Sequence, residues 1–137
     1  MVDAVKNHGN KMPINMLGAL CQAAFSYTFA GDAAGTRIEL EELPEGVELH
    51  NMSIVNDALG AGVTLAMGEL FATAADGTTS ANSLKAATAA STAGRISGDF
   101  HPKLLTTKRR PTITTAGGAA TGKISVILTY VFIGNGE

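Results

Sequence analysis

The chain has no tryptophan, a single cysteine and few rings: aromatic residues make up 5% of its 137 positions. Sugar-binding surfaces stack their ligands on aromatic faces, so this composition counts against a carbohydrate site. Cys21 cannot close an intrachain disulfide and belongs to no CxxC or zinc-type spacing. It reads as a small buried hydrophobe. Charge is sparse at 16%, with a formal net of −2. That excludes the broad basic field a nucleic-acid binder needs. No run approaches the roughly 20 apolar residues of a membrane span. The longest, Ile124–Ile133, is broken by Ser125, Thr129 and Tyr130. The opening MVDAVKNHGN is polar, and Met16–Ala24 is too short and mild for a secretory h-region, so no signal peptide is expected.

What is present is glycine, small residues and short alternating segments. Low charge combined with 16 glycines suits a protein whose surface is partly covered by copies of itself or by a partner. The length is that of one domain, and the reading divides it at residue 18. Residues 1–18 form an extended arm with no sustained period. Pro13 bars a helix interior there, yet Met12, Ile14, Met16 and Leu17 are apolar. Such an arm is best ordered by contact with a partner. Residues 19–137 form a single β domain.

Alternation marks the strands. Phe25, Tyr27 and Phe29 alternate with Ser26 and Thr28. Residues 36–41 place Ile38 and Leu40 inward, Leu43–Gly46 is a turn, and alternation resumes at Val47–His50 and extends to Ile54–Val55. Val63–Gly68 and Arg95–Ser97 are further strands. Residues 72–94 are almost all Ala, Thr, Ser or Gly. There, Ser83–Ala90 is expected as a short Ala-rich helix or loop lying over an open end, with Ser80 or Asn82 as cap and Gly94 as stop. Turns every 8–12 residues predict an all-β fold, a jelly-roll-like β-sandwich.

One string imitates catalysis. Gly117–Lys123 fits G-x-x-x-x-G-K, but a phosphate loop needs Ser or Thr next and a helix behind it. Here Ile124 follows, and then the strand-forming Ser125–Ile133. With Thr112–Thr115 upstream, the segment is expected to be the tip of a C-terminal β-hairpin.

No other constellation carries chemistry. His8, His50 and His101 have no ligand partner at i,i+2 or i,i+4, so no metal site is expected. Glu39, Glu41, Glu42, Glu45 and Glu48 lack both the calcium-loop spacing and the aromatic cleft of a glycosidase, and read as a solvated acidic face. No G-x-S-x-G and no Ser/His/Asp arrangement occurs. No catalytic, cofactor-binding or metal residue is therefore expected, and the chain reads as a non-enzyme. The basic cluster Lys108-Arg109-Arg110 precedes Pro111 and is either a protein contact or a charged guard on a strand edge.

Three features together resemble small β-sandwich structural proteins of tailed bacteriophages. They are Leu59–Gly68, the Ala/Thr-rich Ser83–Ala93, and the terminal pair Thr112–Thr115 and Lys123–Tyr130 around Gly117–Gly122. The resemblance spans roughly residues 36–133 and includes capsid decoration, or cement, proteins with jelly-roll folds. It implies a virion protein made in the bacterial host cytoplasm. It would bind the outside of the capsid shell and cement neighbouring major capsid subunits against internal DNA pressure. Its partners would be the major capsid protein and itself, as a dimer or trimer, with no nucleic acid, membrane or cofactor involved. The arm is outside the resemblance. Met12, Pro13, Ile14, Met16 and Leu17, with Lys108, Arg109 and Arg110, are the expected contacts. A phage fibre or base-plate sandwich binding a receptor or carbohydrate is the alternative.

Overall fold

A computed structural model describes residues 5–6, 20–98 and 100–133. Among the described residues ten strands run in chain order: β1 (Val5–Lys6), β2 (Leu20–Asp32), β3 (Arg37–Glu39), β4 (Val47–Asn56), β5 (Thr64–Leu70), β6 (Ser80–Ala89), β7 (Gly94–Ser97), β8 (Lys103–Leu104), β9 (Arg110–Ala116) and β10 (Ala120–Phe132). They form two sheets, ordered β1-β3-β9-β5-β6 and β2-β10-β4-β7, with β8 also pairing β4. Setting aside β1 and β8, the pairs nest as β2 with β10, β3 with β9, β4 with β7 and β5 with β6. Successive strands change sheets, except at the innermost turn between β5 and β6. This is the winding of a jelly roll, so the expected all-β jelly-roll-like sandwich is what the chain forms.

Period-two patterning builds the core. On β2, Ala23, Phe25 and Phe29 are buried, whereas Ala24, Ser26 and Thr28 are exposed. Ile124, Val126, Leu128 and Tyr130 of β10 point the same way and meet Ile38, Leu65, Met67 and Ile113 of the other sheet. On β4 the inward set changes parity, from Val47 and Leu49 to Met52 and Ile54. A register shift opposite Thr129 and Tyr130 allows it, because one extra residue turns the following side chains to the other face. Burial pushes the Tyr130 hydroxyl up to about 12, with the neighbouring Cys21 adding to the shift. Cys21 itself is half-buried at the margin of the core rather than inside it.

Two expectations are corrected. Ser83–Ala90 is not a helix over an open end: Ser80–Ala89 is β6, an edge strand paired with β5. Alanine favours helix only weakly, and strand pairing beside β5 overrides that preference here. Leu84 still finds the core, at 1% exposure. The pairing is irregular at two places, and at Gly68 the Ser80–Ala81 backbone crosses so closely that a Cβ there would collide with it. The second correction concerns residues 112–130. β9 pairs β3 and β5, while β10 pairs β2 and β4. Gly117–Ala119 therefore carries the chain from one sheet to the other and does not close a hairpin.

The two ends of the sandwich differ in kind. At the glycine end, the corner at 117–119 packs on the corner at 57–63. Gly117 has φ 86, and a Cβ on it would strike the Gly62 carbonyl oxygen. Thr121 N–H donates to the Leu59 carbonyl (3.0 Å), and Asp57 N–H donates to the Lys123 carbonyl (3.0 Å). At the opposite, ionic end lie residues 40–46, 71–79 and 100–109, joined by charged side chains and by backbone hydrogen bonds of Leu105 and Arg109 to residues 43–47.

Candidate functional site

The ionic end is organised by one inward carboxylate. Residues 65, 67 and 69 of β5 face the core, so Glu69 follows Leu65 and Met67 inward, and its side chain is 5% exposed. Four hydrogen bonds from three side chains compensate it. Lys103 Nζ reaches both carboxylate oxygens (2.9 and 3.0 Å), a nitrogen of the Arg109 guanidinium reaches one (2.9 Å), and Ser83 Oγ donates to the other (2.9 Å). Burial pushes the Glu69 carboxyl upward, but the Lys103, Arg109 and Ser83 hydrogen bonds outweigh it and hold the group below the ordinary carboxylate value. Arg109 also donates to the Thr107 carbonyl and hydroxyl, and its guanidinium lies 4.6 Å from the Phe71 ring centre. Thr107 Oγ in turn donates to the Asp76 carbonyl (2.6 Å).

This network divides the basic cluster that the sequence presents as one unit. Arg109 is buried and committed internally. Arg110 is half-buried and donates to the Leu40 carbonyl (2.9 Å). Lys108 alone of the three is exposed. It borders an open cleft of about 300 Å³ with Glu42, Pro44, Glu45, Asp76 and Thr107. A second cleft shares Glu42 and is lined by Leu70, Phe71, Ala72 and Arg110. The other expected contacts, Met12, Pro13, Ile14, Met16 and Leu17, lie outside the described residues. Of the arm, Val5–Lys6 is described, pairing in parallel with Ile38–Glu39.

The acidic stretch is not one solvated face. Glu39 is 6% exposed and its carboxylate accepts from Arg37 at 2.9 Å. Glu42 and Glu45 are exposed, while Glu48 is half-buried with its carboxylate 2.8 Å from His50 Nε2. Among the described residues no three His, Cys, Asp or Glu side chains gather where a metal could be held. At the Gly117–Lys123 string, the Lys123 amide donates to Asp57 Oδ2 (2.9 Å), so a carboxylate sits where a phosphate would have to approach.

One surface escaped the sequence reading. The outer face of β2, β10 and β4 carries rows in register: Ser26, Ser125 and Val55; Ala24, Ile127 and Ser53; Gln22, Thr129 and Asn51. These three rows hold no charge of their own; Arg95 of β7 reaches over the buried Ser53 (3.3 Å), and exposed Lys123 continues β10 beyond them. Within the rows Val55 is 39% exposed, and Leu20 at the strand end is 66% exposed. The signal was available in the small and hydroxyl residues that alternate with the core positions of β2 and β10, where a solvated sheet would carry Lys or Glu.

No protein-family model matches the chain, and neither does any curated protein. Solved structures do. A chain in the capsid of Ralstonia phage GP4 superposes with a TM-score of 0.71 at 22% identity, over 94% of this chain and 97% of that one. A chain in the capsid asymmetric unit of cyanophage Pam1 superposes with a TM-score of 0.66 at 19% identity, over 90% and 91%. At such identities the likeness establishes a shared fold across nearly the full length of each chain.

Proposed function

We propose that the protein is a non-enzymatic virion component that binds the outside of a phage capsid shell and cements neighbouring major capsid subunits against the pressure of packaged DNA. The observation that carries this reading is the end-to-end likeness to chains in two phage capsids. The three uncharged rows on the outer face of β2-β10-β4 add to it, since uncharged side chains lose less on desolvation against a partner than charged ones. In this reading residues 1–18 act as an arm beside the 19–137 domain, and Met12, Ile14, Met16 and Leu17 supply apolar anchors to the shell. Self-association as a dimer or trimer would place copies on local symmetry axes. Lys108 and Arg110 remain the basic contacts, because Arg109 is consumed internally.

The test uses capsids purified with and without the protein. Decorated shells should survive osmotic shock and heating that rupture bare ones; equal survival defeats the cementing role. Removing residues 1–18 should leave the β circular-dichroism signature intact and weaken co-sedimentation with shells by roughly tenfold or more, about 1.4 kcal/mol. Undiminished occupancy would remove the arm from the contact.

A further inference from the structure

We propose that Glu69 is a clasp whose release lets β8 and the 71–79 and 105–109 segments open from the ionic end while the sandwich stays folded. Apart from backbone hydrogen bonds of Leu105 and Arg109 to residues 43–47, these segments are weakly packed. β8 is two residues long and meets β4 through two pairs, Glu48 with Leu104 and Leu49 with Lys103. Across 98–109, Leu105 is the one buried apolar side chain among the described residues, with Phe100 packed at the margin. In 72–79 every described side chain is exposed or half-exposed. Regions with few buried apolar contacts open well below the global unfolding energy.

Against that weak packing stands one carboxylate touching four parts of the chain: β5 itself, Ser83 of β6, Lys103 of β8, and Arg109 just before β9. Through Arg109 it also fixes Thr107 and Phe71, and through Thr107 the Asp76 turn. Without the Glu69 charge, the Arg109 guanidinium is a buried cation with no counter-ion, which is strongly unfavourable. The short route to water is outward with its own loop, breaking the Thr107 and Phe71 contacts. The core of Phe25, Leu65, Ile113, Val126 and Leu128 is not touched by that movement. Opening would remove Asp76, Thr107 and Lys108 as walls of the cleft and uncover the β4 edge at residues 48–49.

Amide hydrogen exchange on the full chain tests it. The probes at the ionic end are Gly46 N–H to the Leu105 carbonyl, Leu105 N–H to the Val47 carbonyl and Arg109 N–H to the Leu43 carbonyl. The references at the glycine end are Gly35 N–H to the Thr115 carbonyl and Thr121 N–H to the Leu59 carbonyl. Glu69→Gln should lower protection of the first group by roughly 10- to 100-fold and leave the second within about twofold. Lys103→Met, which keeps the stem and removes one partner, should lower the same group by roughly threefold, and it decides the matter if Glu69→Gln does not fold. Unchanged protection at the ionic end, or equal loss at both ends, overturns the clasp.

Discussion

The glycine end and the ionic end close the same sandwich by opposite means. At the glycine end two inter-sheet corners lie backbone against backbone, and what makes the contact is the absence of side chains at positions such as Gly117 and Gly62. At the ionic end the loops are longer, and a buried carboxylate gathers cations from two segments to hold them. The first device depends mainly on shape, with one carboxylate, Asp57, accepting the Lys123 amide. The second depends on charge, and it can be loosened without disturbing the core. A sandwich with one rigid and one releasable end has its conformational freedom confined to one side.

The largest effect should come from filling the glycine end. Gly117→Ala places a methyl group on a left-handed residue and against the Gly62 carbonyl oxygen. Backbone strain and the forced separation of the two corners together should cost about 3 kcal/mol or more. Urea denaturation would report this as a lower midpoint with an unchanged slope. A loss under about 1 kcal/mol would mean that the corners are not pressed together, and the contrast between the ends would dissolve.

Acid should act on the other end. The Glu69 carboxyl is held below its ordinary value in the folded chain, so its contribution is fully present above the unfolded value of about 4.3. It is lost as pH falls through the lower, folded value. Melting temperature should therefore drop below about pH 4, and Glu69→Gln should lack its share of that drop, so that the two acid profiles converge as pH falls. Parallel profiles would show that the acid response belongs to other carboxylates and that Glu69 does not distinguish the ionic end.

The same contrast explains what could be read before folding. Strands with strong alternation were legible, as on β2, where Phe25 and Phe29 face inward and Ser26 and Thr28 outward. β6 was not, because Ala, Ser and Thr suit either face and only Leu84 marks the buried side. The Gly117–Gly122 run announced a reversal correctly. A reversal does not say whether the flanking strands pair or part into two sheets, and here they part. The ionic network was illegible for a different reason. Glu69 and Arg109 lie 40 residues apart, and each alone reads as an ordinary surface charge. Lys108-Arg109-Arg110 looked like one basic patch because sequence adjacency hides the alternation that turns the middle residue inward.

The smallest effect should fall on the residue that most resembles chemistry. Lys123 ends the G-x-x-x-x-G-K string, but its amide is occupied by Asp57 Oδ2 and its carbonyl by Asp57 N–H. The Thr121 amide is likewise spent on the Leu59 carbonyl. A phosphate loop works by aiming unpaired backbone amides at the anion, and these amides close a corner instead. Behind them Ile124 is fully buried in a strand, where a nucleotide site would need a hydroxyl and a helix N-terminus. Lys123→Ala should change stability by no more than about 0.5 kcal/mol. Neither the native chain nor the variant should gain thermal stability from millimolar Mg·ATP. A nucleotide-dependent rise of several degrees that disappears in Lys123→Ala would mean that the glycine end binds phosphate. It would then no longer be the inert end of the sandwich.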